Sequence, residues 1–322
     1  MKRYLALAGV LLALAAIYLP AGGCRKPSSG SGGVEAALAQ TRHQPQAPDA
    51  WVALGQAYLD AKLYNDSFLA FRQATRYDQK NFEALRGLGE ASLQLGDAQG
   101  AMDWCGRALA LKPNDPAALG LRGRARLAMN QLDQALPDLE RAANLDSSLV
   151  EVRLALLSVY HAQHQDDLAL NQAAKLTAQF PSEPRARFAY GALLERQDRL
   201  GEAEKQYRET LRLDPDQRTA KLALALALVH QHKQLDEARR LAAEVDAADP
   251  ENGTAAGLAA WALFLSGKQN EGLRELAQVY KRHPNNIQVV LWIKEAALQA
   301  GQTELAEAAG KALQAAGIGA KP

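Results

Sequence analysis

The chain has 322 residues, with 37 Lys and Arg against 36 Asp and Glu, and aromatic residues make up only 6% of it. A balance this close to neutral gives no argument for a nucleic acid or another polyanion as partner. Few aromatics fit a chain in which Ala and Leu do the packing.

At the N-terminus, Lys2 and Arg3 precede an uncharged run from Tyr4 to Leu19, followed by Pro20, Ala21, Gly22, Gly23 and Cys24. A basic start, a short apolar stretch and small residues before a cut site make a secretory signal. Small residues directly before Cys resemble the lipobox of bacterial lipoproteins, with Ala21 where that family favours Leu. The resemblance implies removal of residues 1–23 and acylation of Cys24, which becomes the first mature residue and a membrane anchor. Two other readings of the same residues stay open. The run from Tyr4 to Gly23 is long enough to span a membrane uncut, or an ordinary signal peptidase frees the protein. Residues 24–33, rich in Ser and Gly and without a hydrophobic side chain, read as a flexible tether. In lipoproteins of Gram-negative bacteria the absence of Asp at the second mature position, here Arg25, implies an outer-membrane location facing the periplasm.

From residue 34 the chain is periodic. Pro45, Pro113, Pro181, Pro215, Pro250 and Pro284 are separated by 68, 68, 34, 35 and 34 residues. Units then start at 48, 82, 116, 150, 184, 218, 253 and 287, with one inserted residue expected at 230–234. The eighth position reads Gly55, Gly89, Gly123, Leu157, Gly191, Ala225, Ala260 and Lys294. The twentieth is also mostly small: Ser67, Ala101, Ala135, Ala169, Ala203, Ala238, Gly272 and Ala306. Small residues recur where two helices cross closely, because larger ones would hold the backbones apart. Large apolar residues recur between them at helical spacing, as in Trp51, Leu54, Tyr58 and Phe71.

This period and these residues resemble the tetratricopeptide repeat, a helix–turn–helix unit of about 34 residues. The resemblance implies an all-α superhelical solenoid over residues 34–320, of about eight repeats, with protein or peptide partners held on its concave face. Residues 34–43 read as a half-repeat helix covering one end. At the other end, residues 303–316 read as a terminal helix whose Glu304, Glu307, Lys311 and Gln314 give the polar outer face a last repeat needs.

Within unit 3, Arg122 takes the seventh position, where units 1 and 2 have Leu54 and Leu88, and Asp138 falls sixteen residues later. A charge in a helix interface needs a partner. The run Leu121-Arg122-Gly123 with Asp138-Leu139 resembles a repeat subtype in which these two residues form a structural ion pair. The alternative is an anion site made by Arg122, Arg124 and Arg126. Pro137 falls in the first turn or so of the same helix, tolerated at some cost in helix length.

In the tetratricopeptide family the inner surface is lined by positions 2, 5, 9 and 12 of each first helix. In units 6 and 7 these include Leu222, Leu226, Val229, Trp261 and Phe264, an apolar strip. Either it packs against neighbouring first helices, or it is a groove in which a partner helix or extended peptide docks. The carboxylate clamp of the chaperone-binding members is not carried over, since Val52 and Gln56 stand at its positions.

Catalytic chemistry is scarce. His161 with His164, and His230 with His232, close two first helices, and solvated helix-end histidines are the simpler reading over a metal site. There is no phosphate-binding loop, no His-Glu-x-x-His and no nucleophile elbow. Cys105 lies inside a helix as a buried structural thiol, and with Cys24 lipidated no disulfide is available. No cofactor, metal or catalytic residue is expected. The chain reads as a membrane-tethered scaffold for envelope proteins, with a chaperone-like adaptor for unfolded clients as second reading and an enzyme as a third of another class.

Overall fold

A computed structural model describes residues 30–318. The expectations for residues 1–23, Cys24 and most of the tether lie outside the described residues. Among the described residues there are seventeen α-helices, one 3-10 turn and no strand. They fall into two compact units, 30–176 and 177–318.

The first unit holds α1 (Gly30–His43), α2 (Pro48–Asp60), α3 (Tyr64–Tyr77), α4 (Phe82–Gln94), α5 (Ala98–Leu111), α6 (Pro116–Ala128), α7 (Leu132–Leu145), α8 (Val150–Ala162) and most of α9 (Asp166–Gln179). The second holds α10 (Pro184–Arg196), α11 (Leu200–Leu213), α12 (Arg218–His230), α13 (Leu235–Ala248), α14 (Thr254–Leu265), α15 (Gln269–Arg282), α16 (Ile287–Gln299) and α17 (Thr303–Ala315). Even-numbered helices are the A helices of the repeats and odd-numbered ones from α3 onward the B helices.

The A helices start where the chemistry says they should. Pro48, Pro116 and Pro184 occupy the first turn, where no N–H is needed. Asn81, Asp115 and Asn286 cap with a side-chain oxygen that accepts from the N–H three residues on, at 2.9, 2.7 and 3.2 Å. The A–B turns are three residues long with one exception. Their middle residue is left-handed: Lys62, Gly96, Asn130, His164, Asp198, His232, Gly267 and Gly301 all have positive φ. In most of them the next N–H reaches back to the fifth carbonyl before it, as from Leu63 to Tyr58 at 2.8 Å and from Gln131 to Arg126 at 2.8 Å. This is a Schellman cap, which closes the helix and reverses the chain in one step.

The exception is Gln231–Gln234, where the inserted residue makes a four-residue turn with a second left-handed residue, Gln234, at φ 48°. Its side-chain oxygen accepts from Arg208 Nη2 at 2.6 Å, and Arg208 also grips Glu237 through Nη1 and Nη2 at 2.8 and 2.9 Å. The extra residue is thereby tied into an ion pair linking α11 to α13.

Three boundaries differ from the sequence reading. α1 begins at Gly30, so residues 30–33 belong to a helix and not to the tether. The first turn of a helix needs no intrahelical partner for its N–H groups, so poor helix formers are tolerated there. Unit 7 begins its helix at Thr254 because Gly253, at φ 49°, is left-handed and follows a 3-10 turn over Pro250–Asn252. α7 is not shortened by Pro137 and runs 14 residues, as do its neighbours α5 and α3.

The core of the first unit lies between the two helix layers. Phe71 and Ala74 of α3 are buried with Leu59 of α2 and with Ala84, Leu88 and Ala91 of α4, so one B helix is sandwiched between two A helices. α1 closes the end: its Ala37 packs with Leu54 of α2 and Ala70 of α3.

Candidate binding face

The Arg122–Asp138 contact is a two-pronged one across α6 and α7. Arg122 Nε and Nη2 donate to Asp138 Oδ2 and Oδ1, both at 2.7 Å. A second donor was not read from the sequence: Arg126 Nη1 reaches the same Oδ2 at 2.7 Å and the carbonyl of Gln134 at 3.1 Å. Asp138 is only 6% exposed, and its hydrogen bond raises the pKa of the Arg122 guanidinium. The signal for Arg126 was its place four residues after Arg122, one turn along the same face. Two of the three arginines of the alternative anion site are thus committed to the chain's own carboxylate.

The inner row of the second unit is the candidate binding face. On α10 it holds Phe188, Ala192 and Glu195, on α12 Leu222, Leu226 and Val229, and on α14 Gly257, Trp261 and Phe264. All five residues of the apolar strip are buried: Leu222, Leu226, Val229, Trp261 and Phe264 are 6, 6, 3, 7 and 1% exposed. The physical reason is composition. Every residue of Leu222–Val229 is buried, and a helix apolar on all sides hides all of them. Trp261 and Phe264 stack on each other with ring centres 5.3 Å apart and planes 9° from parallel.

One acid sits in this row. Glu195, on the last turn of α10, is 6% exposed. Tyr207 of α11 donates its hydroxyl to Oε2 at 2.6 Å, while Oε1 has no hydrogen-bond partner. Burial pushes the Glu195 carboxyl above the usual carboxylate range and the Tyr207 phenol well above its own. Glu195 falls at the twelfth position of its A helix, one of the inner positions, but nothing in the sequence pattern of that row points to its partner. The clue was Tyr207 at the repeat position that faces Gly191, where the ring can lie flat on the backbone and send its hydroxyl along α10.

The remaining polar candidates do not converge. His161 lies on α8, with Nδ1 3.0 Å from Asp166 Oδ1, but His164 is in the following turn. His230 ends α12 with its pKa lowered by burial, and His232 is again a left-handed turn residue. Among the described residues no group of three or more His, Cys, Asp or Glu could hold a metal ion. Cys105 is fully buried, and burial pushes its thiol up to about 12. No described helix is long and apolar enough to cross a membrane.

The paired helices, their small-residue crossings and the left-handed turns define a tetratricopeptide-type solenoid. A family model described as tetratricopeptide repeat matches residues 64–116, 154–218 and 194–253, so the chain carries tetratricopeptide repeats. Similar solved structures include a tetratricopeptide repeat protein from Parabacteroides merdae, 18% identical, covering 75% of this chain and 95% of that one with a TM-score of 0.57. A chain of the APC/C hetero-tetramer Cut9–Hcn1 is 15% identical over 82% of this chain and 52% of its own, with a TM-score of 0.66. PilF of Pseudomonas aeruginosa is 17% identical over 65% of this chain and 94% of its own, with a TM-score of 0.56. At such identities these likenesses establish the fold. Among curated proteins none matches the sequence. Tetratricopeptide repeats as a class mediate protein–protein interactions.

Proposed function

We propose that the protein is a membrane-tethered adaptor which holds a protein or peptide partner on the inner face of its A helices. The observation that carries this is the character of α12 and α14. Residues 222–229 of α12 and 255–265 of α14 are unbroken runs without a polar or charged side chain. Their inner positions are buried in the free chain, so an apolar helix or extended segment of a partner would reach them by displacing what packs there. The composition of residues 1–33 supports export and tethering: a basic start, an apolar run, small residues and Cys24. On this reading residues 1–23 are removed, Cys24 is acylated and the repeats face the periplasm from the outer membrane, in envelope assembly or secretion.

Two measurements test it. Crosslinking in native membranes followed by peptide mapping should place partner contacts on α10, α12 and α14, and contacts confined to the B helices would refute the binding face. Intact mass of the membrane-extracted protein should show loss of residues 1–23 and a lipid on Cys24. A Cys24→Ala chain that stays membrane-bound at unchanged mass would refute the lipid anchor.

A further inference from the structure

Inside each compact unit, the next A helix packs against both the A and the B helix of the repeat before it. The twenty-fourth residue of the repeat, on its B helix, and the sixth residue of the next A helix share the space. A β-carbon on Gly87 would lie 2.4 Å from Cζ of Phe71, so a ring from one side meets a glycine from the other. The same pair of positions holds Leu139 with Ala155 and Tyr207 with Ala223, but Cys105 with Leu121 and Ala242 with Leu258. Where the B helix gives little bulk, the following A helix supplies it. Leu276 with Trp292 is large on both sides, and Gly257 makes room for the tryptophan. Polar bonds fix the end of each seat. Tyr160, the eleventh residue of its repeat, donates to Glu140 Oε1 at the twenty-fifth position of the repeat before, at 3.0 Å. Gln231, the fourteenth, donates to Glu204 at the twenty-first, at 3.2 Å.

The groove of the last repeat has the same shape. Between α16 and α17 lies a cavity of about 450 Å³, lined among others by Lys294, Leu298, Glu307, Gly310, Lys311 and Gln314. Its twenty-fourth position is Gly310. A β-carbon there would have only the Lys294 side chain within 4 Å, at 3.9 Å. Among the described residues Lys294, Glu307 and Lys311 have no hydrogen bond or ion pair. Leu298, on the lining, is 55% exposed. The groove is thus short of bulk over Gly310 and carries two unpaired ammonium groups against one carboxylate.

We propose that this groove seats an A-type helix of a partner protein, with a bulky apolar residue over Gly310 and, five residues further along, an acid paired with Lys311. The first feature follows from the exchange of bulk at the inner junctions. The second follows from the place of Tyr160 on Glu140, with Lys311 now holding the twenty-fifth position. No A helix of this chain has an acid at its eleventh position, so a second copy does not supply the pattern. The seat stands whether or not the inner face of α10, α12 and α14 takes a partner.

The test uses the full chain in mild detergent and a fluorescein-labelled peptide of about 14 residues, stapled because an isolated helix of that length is marginal in water. It has tryptophan at its sixth position, glutamate at its eleventh, and alanine and glutamine elsewhere. Saturable binding in fluorescence anisotropy is expected. Gly310→Leu fills the seat and should weaken binding about ten-fold or more. Lys311→Glu should weaken it about five-fold, and a peptide with lysine at its eleventh position should recover that loss on the Lys311→Glu chain. Thermal melts of both variants are read alongside, and the charge exchange decides alone if Gly310→Leu lowers the melting temperature. No saturable binding, binding indifferent to a folded Gly310→Leu chain, or no recovery in the exchange overturns the seat. Sedimentation of the chain without peptide is the last reading. Self-association that Gly310→Leu abolishes would give the groove to a second copy and overturn the partner helix.

Discussion

A β-carbon on Gly123 would lie 2.6 Å from Cγ of Leu139, so α6 and α7 touch backbone against side chain. The same relation joins Gly55 to Phe71 at 2.7 Å and Gly191 to Tyr207 at 2.7 Å. Glycine inside a helix ordinarily costs about 1 kcal/mol relative to alanine. Here the added methyl has nowhere to go. Gly123→Ala should therefore destabilise the protein by about 1–3 kcal/mol in denaturant unfolding, against the propensity gain. A stabilised variant would show that the crossing relaxes freely.

This crossing also explains which part of the fold was legible. The eighth repeat position looked degenerate at Leu157 and Lys294. Sixteen residues on, where Phe71, Leu139 and Tyr207 stand in other units, those two repeats have Ala173 and Gly310. Bulk has moved from one helix to the other, and the volume at the crossing is conserved. A position-by-position reading sees a lost motif, where a pairwise one sees an exchange. The period, the proline starts and the inserted residue were legible because they are local. The left-handed turn residue was not, since five of the eight turns use Lys, Asn, His or Asp in place of Gly. The closure of the inner row was not legible either, because burial depends on what lies across the face.

Those turns yield a second prediction. Lys62, at φ 60°, is held in a conformation that favours glycine. Its side chain is exposed and makes no contact that the turn requires. Lys62→Gly should stabilise the protein by about 0.5–1 kcal/mol, since strain at the cap outweighs the entropy glycine adds to the unfolded chain. A loss of stability in thermal unfolding would count against strain in these caps.

Asp138 has two guanidinium partners, so its removal and theirs should not be equivalent. Asp138→Leu leaves Arg122 and Arg126 facing each other across a buried gap, and should cost about 3 kcal/mol. Arg122→Leu leaves Arg126 on Oδ2 and should cost less, about 1–2 kcal/mol. In a double-mutant cycle, Arg122→Leu with Asp138→Leu should recover part of the loss. Strictly additive losses would mean that the two side chains do not interact.

Glu195 makes stability depend on pH. Its folded-state pKa is raised, chiefly by burial and against the hydrogen bond from Tyr207. The folded protein thus holds this proton more tightly than the unfolded chain does. Its favourable contribution is complete below the ordinary carboxylate pKa and is lost as pH rises through the folded value. Glu195→Gln keeps an acceptor for the Tyr207 hydroxyl and removes the charge. It should raise Tm at pH 7 by about 2–4 °C if the gain is near 1 kcal/mol. The advantage should shrink at pH 4. An equal effect at both pH values would mean that the carboxyl is not the source.

Trp261 separates packing from docking. It is 7% exposed and stacked on Phe264, so truncation removes a large buried side chain and leaves a cavity. Trp261→Ala should cost about 3–5 kcal/mol, read in denaturant unfolding of the full chain. If the inner face is the partner site, Trp261→Ala should also weaken partner capture by about 2 kcal/mol, read by pull-down under conditions where the variant is folded. A large stability loss with capture unchanged would assign Trp261 wholly to the core, and a variant as stable and as competent in capture as the parent would leave it neither role.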